Sequence, residues 1–193
     1  SLGMTLSAGE LAQLHYNGSM WITEEQYYRV IGEKTAALFQ SCAEAGGESC
    51  GATMRQLSAL RVYGYHLGMC FQMQDDVLDY SDSEELGKPT MHDIADGKAT
   101  LPLLVSLARA PRSEAEEIRH LSEELASHSS GVDIVRAEQD IKSFVLRYDG
   151  VRYAYQQMQR HKQQALQALA VFRESNTKSS LMALSEYAIH RLH

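Results

Sequence analysis

The sequence has few of the residues that interrupt helices and few that staple or thread a small protein. Only three prolines occur among 193 residues, Pro89, Pro102 and Pro111. They fall within one stretch, so the rest of the chain runs without this breaker. Two-residue hairpin signals and sustained apolar–polar alternation are missing, which argues against strands. No apolar run is long enough to cross a bilayer, and the opening SLGMTLSAGE lacks the basic start and apolar core of a secretion signal. Basic residues are outnumbered, 18 Lys and Arg against 25 Asp and Glu, for a formal net charge of −7. That balance argues against nucleic acid as a partner and against electrostatic docking on anionic membranes. The three cysteines, Cys42, Cys50 and Cys70, are odd in number and have no zinc spacing. They are expected to be buried, inert thiols in a reducing cytoplasm rather than a disulfide framework.

What is present is apolar residues at helical spacing over long stretches. A chain of this length fits one all-α domain over residues 1–193, burying roughly 70% of its unfolded surface. The pattern predicts helices near 6–17, 23–45, 52–81, 99–110, 113–128, 131–148, 151–173 and 176–191. Thr23 with Gln26 and Ser113 with Glu116 have the spacing of capping boxes. Gly46-Gly47, Ser130-Gly131 and Asp149-Gly150 are expected to end helices, since glycine past a helix end takes a left-handed conformation without steric cost.

The chemistry concentrates at the end of the helix expected over 52–81. One stripe along it reads Gly64, Gly68, Gln72, Asp75 with Asp76, and Asp79. Residues three or four apart share a helix face. The two glycines fit either close packing against another helix or room for a ligand, since each costs about 1 kcal/mol relative to alanine. Asp75 and Asp79 stand one turn apart, and like charges so placed destabilise a helix unless a cation joins them. Carboxylate oxygens suit Mg²⁺, which is commonly held by one or two carboxylates together with substrate phosphates. Acidic triplets on helices are more often solvated faces, but this one is flanked by Phe71, Met73, Val77, Leu78 and Tyr80. Two lysines follow on glycine-bearing turns, Lys88 in Gly87-Lys88-Pro89 and Lys98 in Gly97-Lys98-Ala99-Thr100-Leu101-Pro102. Such lysines can hold a metal-bound diphosphate as point charges. Asp93 fits that site or a turn equally well.

Taken together, Phe71-Gln72, Asp75-Asp76-x-x-Asp79, Gly87-Lys88-Pro89, Asp93 and Gly97-Lys98-x-Thr100-Leu101-Pro102 resemble the trans-isoprenyl diphosphate synthases, or polyprenyl synthetases. The resemblance extends upstream to Gly9-Glu10-x-x-Gln13-Leu14 and to Tyr28-Arg29-Val30-Ile31 leading into Lys34-Thr35-Ala36, and downstream across 150–191. It implies the isoprenoid-synthase helical bundle, whose cavity holds an allylic diphosphate beside isopentenyl diphosphate. It also implies Mg²⁺ bound directly by Asp75, with Asp76 and Asp79 acting directly or through water, and a departing diphosphate held by Lys34, Lys88 and Lys98. Thr35 and Gln72 would turn oxygen atoms toward the developing positive charge. The full enzymes of the family are usually homodimers, and the 21–34 segment looks most like octaprenyl-type, long-chain synthases.

One part of the family pattern is missing. The resemblance implies two aspartate-rich motifs, and this sequence has only the second, without the segment that holds isopentenyl diphosphate. The expectation is therefore a carboxy-terminal portion of a complete enzyme, inactive alone. The alternative is a short, non-catalytic binding or regulatory subunit of a synthase.

Overall fold

The structure, a computed structural model, describes residues 2–17, 22–81, 91–129 and 133–190. Among these residues the regular structure is helical, with no strand. Helix α1 is Leu2–Tyr16 and α2 is Glu24–Ile31. A π-helical turn, Gly32–Ala36, joins α2 to α3, Ala37–Ser49. Helix α4, Met54–Leu78, is the longest. Then come α5 (His92–Ala95), α6 (Leu101–Arg109), α7 (Arg112–Ala126), α8 (Ile134–Arg147) and α9 (Gly150–Ala168). A short 3-10 turn, Leu169–Val171, precedes α10, Asn176–His190.

Helix starts follow local chemistry. Thr23 and Gln26 form the expected reciprocal box: the Thr23 N–H donates to Gln26 Oε1 at 2.7 Å, and the Gln26 N–H donates to Thr23 Oγ1 at 3.1 Å. Thr53 and Gln56 build a second one at the start of α4. The box expected at Ser113 does not form, because Pro111 takes the cap position and Glu116 pairs with Arg112 at 2.7 Å. Asp133 caps α8 by accepting the Arg136 N–H.

Two helix ends depart from expectation. Helix α3 runs through Gly46-Gly47 to Ser49, and Gly51, at φ +70°, supplies the left-handed residue. A side chain at Gly47 would meet Leu60 at 2.5 Å, so that glycine serves close packing instead. At 149–150 it is Asp149 that takes φ +57°, while Gly150 opens α9 where a Cβ would collide with the Pro102 carbonyl and Ser106 Oγ. Ser130-Gly131 lies outside the described residues. The cysteines are also corrected: Cys70 is buried, its thiol pushed up to about 12 by burial, but Cys42 and Cys50 are exposed.

The described residues fall into two compact units. The first holds 2–11, 29–74 and 155–190, with Met69, Met73, Met158, Leu169 and Ile189 fully buried. Here the two stripe glycines find their use. A Cβ at Gly64 would lie 2.5 Å from the Phe39 carbonyl oxygen, and one at Gly68 would lie 2.6 Å from Ala36 Cα. The backbone of α4 is thus pressed against α3 and the π-helical turn, which is the packing reading rather than room for a ligand. Two histidines on α4 and α9 meet in the same unit, His66 Nδ1 and His161 Nδ1 being 2.8 Å apart.

The second unit holds 12–17, 22–28, 75–81, 91–129 and 133–154. Helix α6 is buried from Leu101 through Leu107 and is apolar nearly all round, as an enclosed helix must be. Its Leu103 and Leu107 join Ile94 of α5, Ile118 of α7 and Ile141 and Phe144 of α8 in one core.

Two outcomes follow. Gly68→Val should destabilise the chain by about 1–3 kcal/mol through overpacking. Gly46→Ala, with nothing within 4 Å of its Cβ, should be neutral or stabilising by roughly 0.5–1 kcal/mol; urea unfolding of both variants checks this. Burial lowers the pKa of His66, and burial followed by the neighbouring His66 lowers that of His161 to about 4. The unfolded chain then binds more protons below about pH 6.5. Stability should be complete above that pH and should fall, by roughly 1–2 kcal/mol after allowance for partial exposure, as the pH drops toward 4. His161→Phe should flatten that slope in urea unfolding followed across pH.

Candidate functional site

The last turn of α4 carries Asp75 and Asp76 in the second unit and Asp79 follows it directly, and the three side chains have different surroundings. Asp75 is half-buried. Asp76 is buried, at 4% exposure, and its Oδ2 accepts two hydrogen bonds. One comes from the Tyr27 hydroxyl of α2 at 2.7 Å, the other from the Leu101 N–H at the start of α6 at 3.2 Å. Asp79 is also buried and accepts backbone N–H groups on both oxygens, from His92 at 2.8 Å and Asp93 at 3.2 Å. It thereby caps α5 from a distance, a role helix α5 needs because Met91, its own cap residue, offers no side-chain bond.

The segment 91–101 is tied to α4 at further points. The Met91 N–H donates to the Asp79 carbonyl at 3.0 Å, and Tyr80 and Thr100 share a hydroxyl–hydroxyl bond of 2.6 Å. Gly97 at φ +72° turns the chain after α5, and Lys98 then reaches back to Asp93 at 2.7 Å and Asp96 at 3.1 Å. Burial opposes the Lys98 charge, but these two carboxylates outweigh it and hold its pKa above the ordinary value. Asp93 is therefore both a first-turn residue of α5 and an ion-pair partner. His92 is exposed in side chain and contributes its backbone.

The other predicted residues are in the first unit. Lys34 and Thr35 sit on the π-helical turn, a distortion frequent at functional sites. Thr35 Oγ1 donates to Gln72 Oε1 at 2.9 Å, so the two residues are in direct contact and Gln72 offers its oxygen to Thr35. Lys34 Nζ is 3.2 Å from Glu10, and Gly9 lets α1 approach the Lys34 backbone, to 2.5 Å from where a Cβ would stand. Lys88 and Arg191 lie outside the described residues.

The donor chemistry at the end of α4 fits a hard divalent cation. Asp79 is pushed up to about 6, first by burial and then by Asp93, against the pull of the His92 and Asp93 N–H groups. Carboxylates crowded in this way favour an added positive charge. Among the described residues no cluster of three or more His, Cys, Asp or Glu side chains is arranged as a full metal cage. No helix among the described residues is long and apolar enough to cross a membrane.

Sequence reasoning missed Tyr27, and it named Glu10, Tyr80 and Thr100 without their contacts to Lys34 and to each other. Nothing in spacing marks Tyr27. The available signal was indirect: a carboxylate next to Val77 and Leu78 has to find donors if it is buried.

The polyprenyl synthetase family model matches residues 2–138, and the chain belongs to that family. It is 33% identical over 186 residues to a short chain isoprenyl diphosphate synthase of Methanothermobacter thermautotrophicus, covering 96% of this chain and 55% of the relative. It is 33% identical over 187 residues to the octaprenyl diphosphate synthase of Haemophilus influenzae, with the same coverage of 96% and 55%. A crystal structure of a polyprenyl synthase from Caulobacter crescentus, complexed with calcium and isoprenyl diphosphate, superposes with a TM-score of 0.88 at 30% identity. That match covers all of this chain and 57% of the other. The chain thus spans about half the length of the curated relatives it matches.

Asp79→Ala removes both side-chain bonds to α5 and should cost about 1–2 kcal/mol. Hydrogen exchange should accelerate at the His92 and Asp93 amides well before it does in α9.

Proposed function

We propose that the chain provides the allylic-diphosphate side of a trans-polyprenyl diphosphate synthase. Such an enzyme joins an allylic diphosphate to isopentenyl diphosphate and lengthens the prenyl chain. The observation that carries this reading is the end of α4, where Asp75, Asp76 and Asp79 stand beside a segment that presents Lys98. Membership of the family supports it.

In this reading Asp75 would hold Mg²⁺ directly, with Asp76 and Asp79 acting directly or through water, and the ion when bound would supply Lewis-acid neutralisation of the departing diphosphate. Lys34, Lys88 and Lys98 bind diphosphate oxygens and hold the charge that leaves the allylic carbon. Lys98 exchanges its bonds to Asp93 and Asp96 for phosphate, an exchange between anionic partners that keeps its positive charge matched. Thr35 and Gln72 present oxygen dipoles toward the allylic cation. No nucleophile from the protein is required, because the second substrate's double bond attacks and a proton is then lost. The 21–34 segment supports a long-chain product. Because the relatives named above include a short-chain and an octaprenyl enzyme at equal identity, product analysis of an assembled enzyme decides chain length. A homodimeric complete enzyme and a cytoplasmic location belong to the same proposal.

A second reading is supported by the presence of one aspartate-rich motif in these 193 residues. It is a non-catalytic subunit that binds substrate beside a complete synthase, and copurification with such a synthase distinguishes it.

On either reading, the purified 193-residue chain should give no prenyl product from allylic and isopentenyl diphosphates with Mg²⁺. It should nevertheless bind inorganic diphosphate in the presence of Mg²⁺, and Lys98→Ala should weaken that binding by roughly 10-fold, the loss of one charge-assisted contact. Isothermal titration and a radiolabelled product assay check both outcomes; measurable turnover by the chain alone would overturn the assignment of an incomplete site.

A further inference from the structure

The three aspartates at the end of α4 are chemically alike but differently held, and the difference assigns a role to a residue outside the motif. We propose that Tyr27 is a positioning residue: together with the Leu101 N–H it fixes Asp76 as an internal anchor beside Asp75, the residue that the family resemblance makes the direct metal ligand. This deepens the metal–diphosphate reading of the site and rests on it.

The geometry carries the argument within one compact unit. Tyr27 is buried at 3% exposure and its hydroxyl has one proton to give, which goes to Asp76 Oδ2 at 2.7 Å. The same oxygen takes the Leu101 N–H. Adjacent residues on a helix point about 100° apart, so clamping Asp76 into the interior sets the direction of Asp75 on the less buried side. Leu101 opens α6 three residues after Lys98. The clamp therefore also fixes where the Lys98 segment leaves the end of α4. A carboxylate buried this far costs several kcal/mol without donors, and Tyr27 supplies one from a side chain.

The test uses the 193-residue chain, Mn²⁺ as the probe ion with inorganic diphosphate, and electron paramagnetic resonance to count free Mn²⁺. Wild type should bind, and Asp75→Asn should abolish binding. Tyr27→Phe should keep the helical circular dichroism and weaken Mn²⁺–diphosphate affinity by roughly 10-fold at a temperature well below its melting point. Asp76→Asn should weaken it to the same degree, and the double variant should be no worse than either, since residues acting through one bond are not additive. A tyrosine with a merely structural role would lower the melting temperature and leave the affinity unchanged. That result, or an Asp76→Asn variant as dead as Asp75→Asn, overturns the inference while leaving the metal reading standing. Absence of Mn²⁺–diphosphate binding by wild type overturns both. Should Tyr27→Phe not fold, Asp76→Asn carries the same comparison against Asp75→Asn.

Discussion

The structure of the second unit depends on where a buried negative charge finds its donors. Asp76 sits at 4% exposure and is satisfied through Tyr27 and the first N–H of α6. Removing an ionised carboxylate from water is tolerated only when hydrogen bonds replace its hydration. That requirement draws together the start of α6, a buried residue of α2 and the end of α4. Asp79 repeats the logic one turn later by capping α5. Two of three aspartates thus shape the backbone around the third, and Lys98 is delivered beside them.

The first unit brings its candidate residues together by a different device. Glycines at 64 and 68 let α4 lie against α3 and the π-helical turn at near backbone contact. The turn widens the helix where Lys34 and Thr35 occur, and Thr35 meets Gln72 across that close approach. A larger residue at either glycine would push apart the surfaces that bring threonine and glutamine together.

Much of this was legible in the sequence, and the unread parts have physical causes. Helical spacing and scarce prolines gave the all-α class, and long uninterrupted periodicity gave α4 to within three residues at each end. The Thr23–Gln26 box was readable because a capping box is local. The Ser113 box failed because Pro111, two residues earlier, already had the dihedral angles to start α7. The end of α3 was misplaced because Gly47 answers to Leu57 and Leu60, which lie beyond the helix it seemed to stop. The motif residues of the site were visible as spacing: Asp75, Asp76 and Asp79 on one turn, and Lys98 after Gly97. What spacing could not reveal was the inequality of the aspartates, because it is set by Tyr27, which is 49 positions from Asp76.

The end of α4 and the segment 91–101 are proposed as one face of a metal–diphosphate site with Asp75 as its direct ligand. Anomalous diffraction from crystals of the chain grown with Mn²⁺ and inorganic diphosphate tests it most directly. A manganese peak is expected within coordination distance, about 2.0–2.3 Å, of an Asp75 oxygen, with diphosphate density between that ion and Lys98 and with Asp76 still bonded to Tyr27. A peak centred on Asp76 with the Tyr27 bond broken, or one remote from α4, would contradict it.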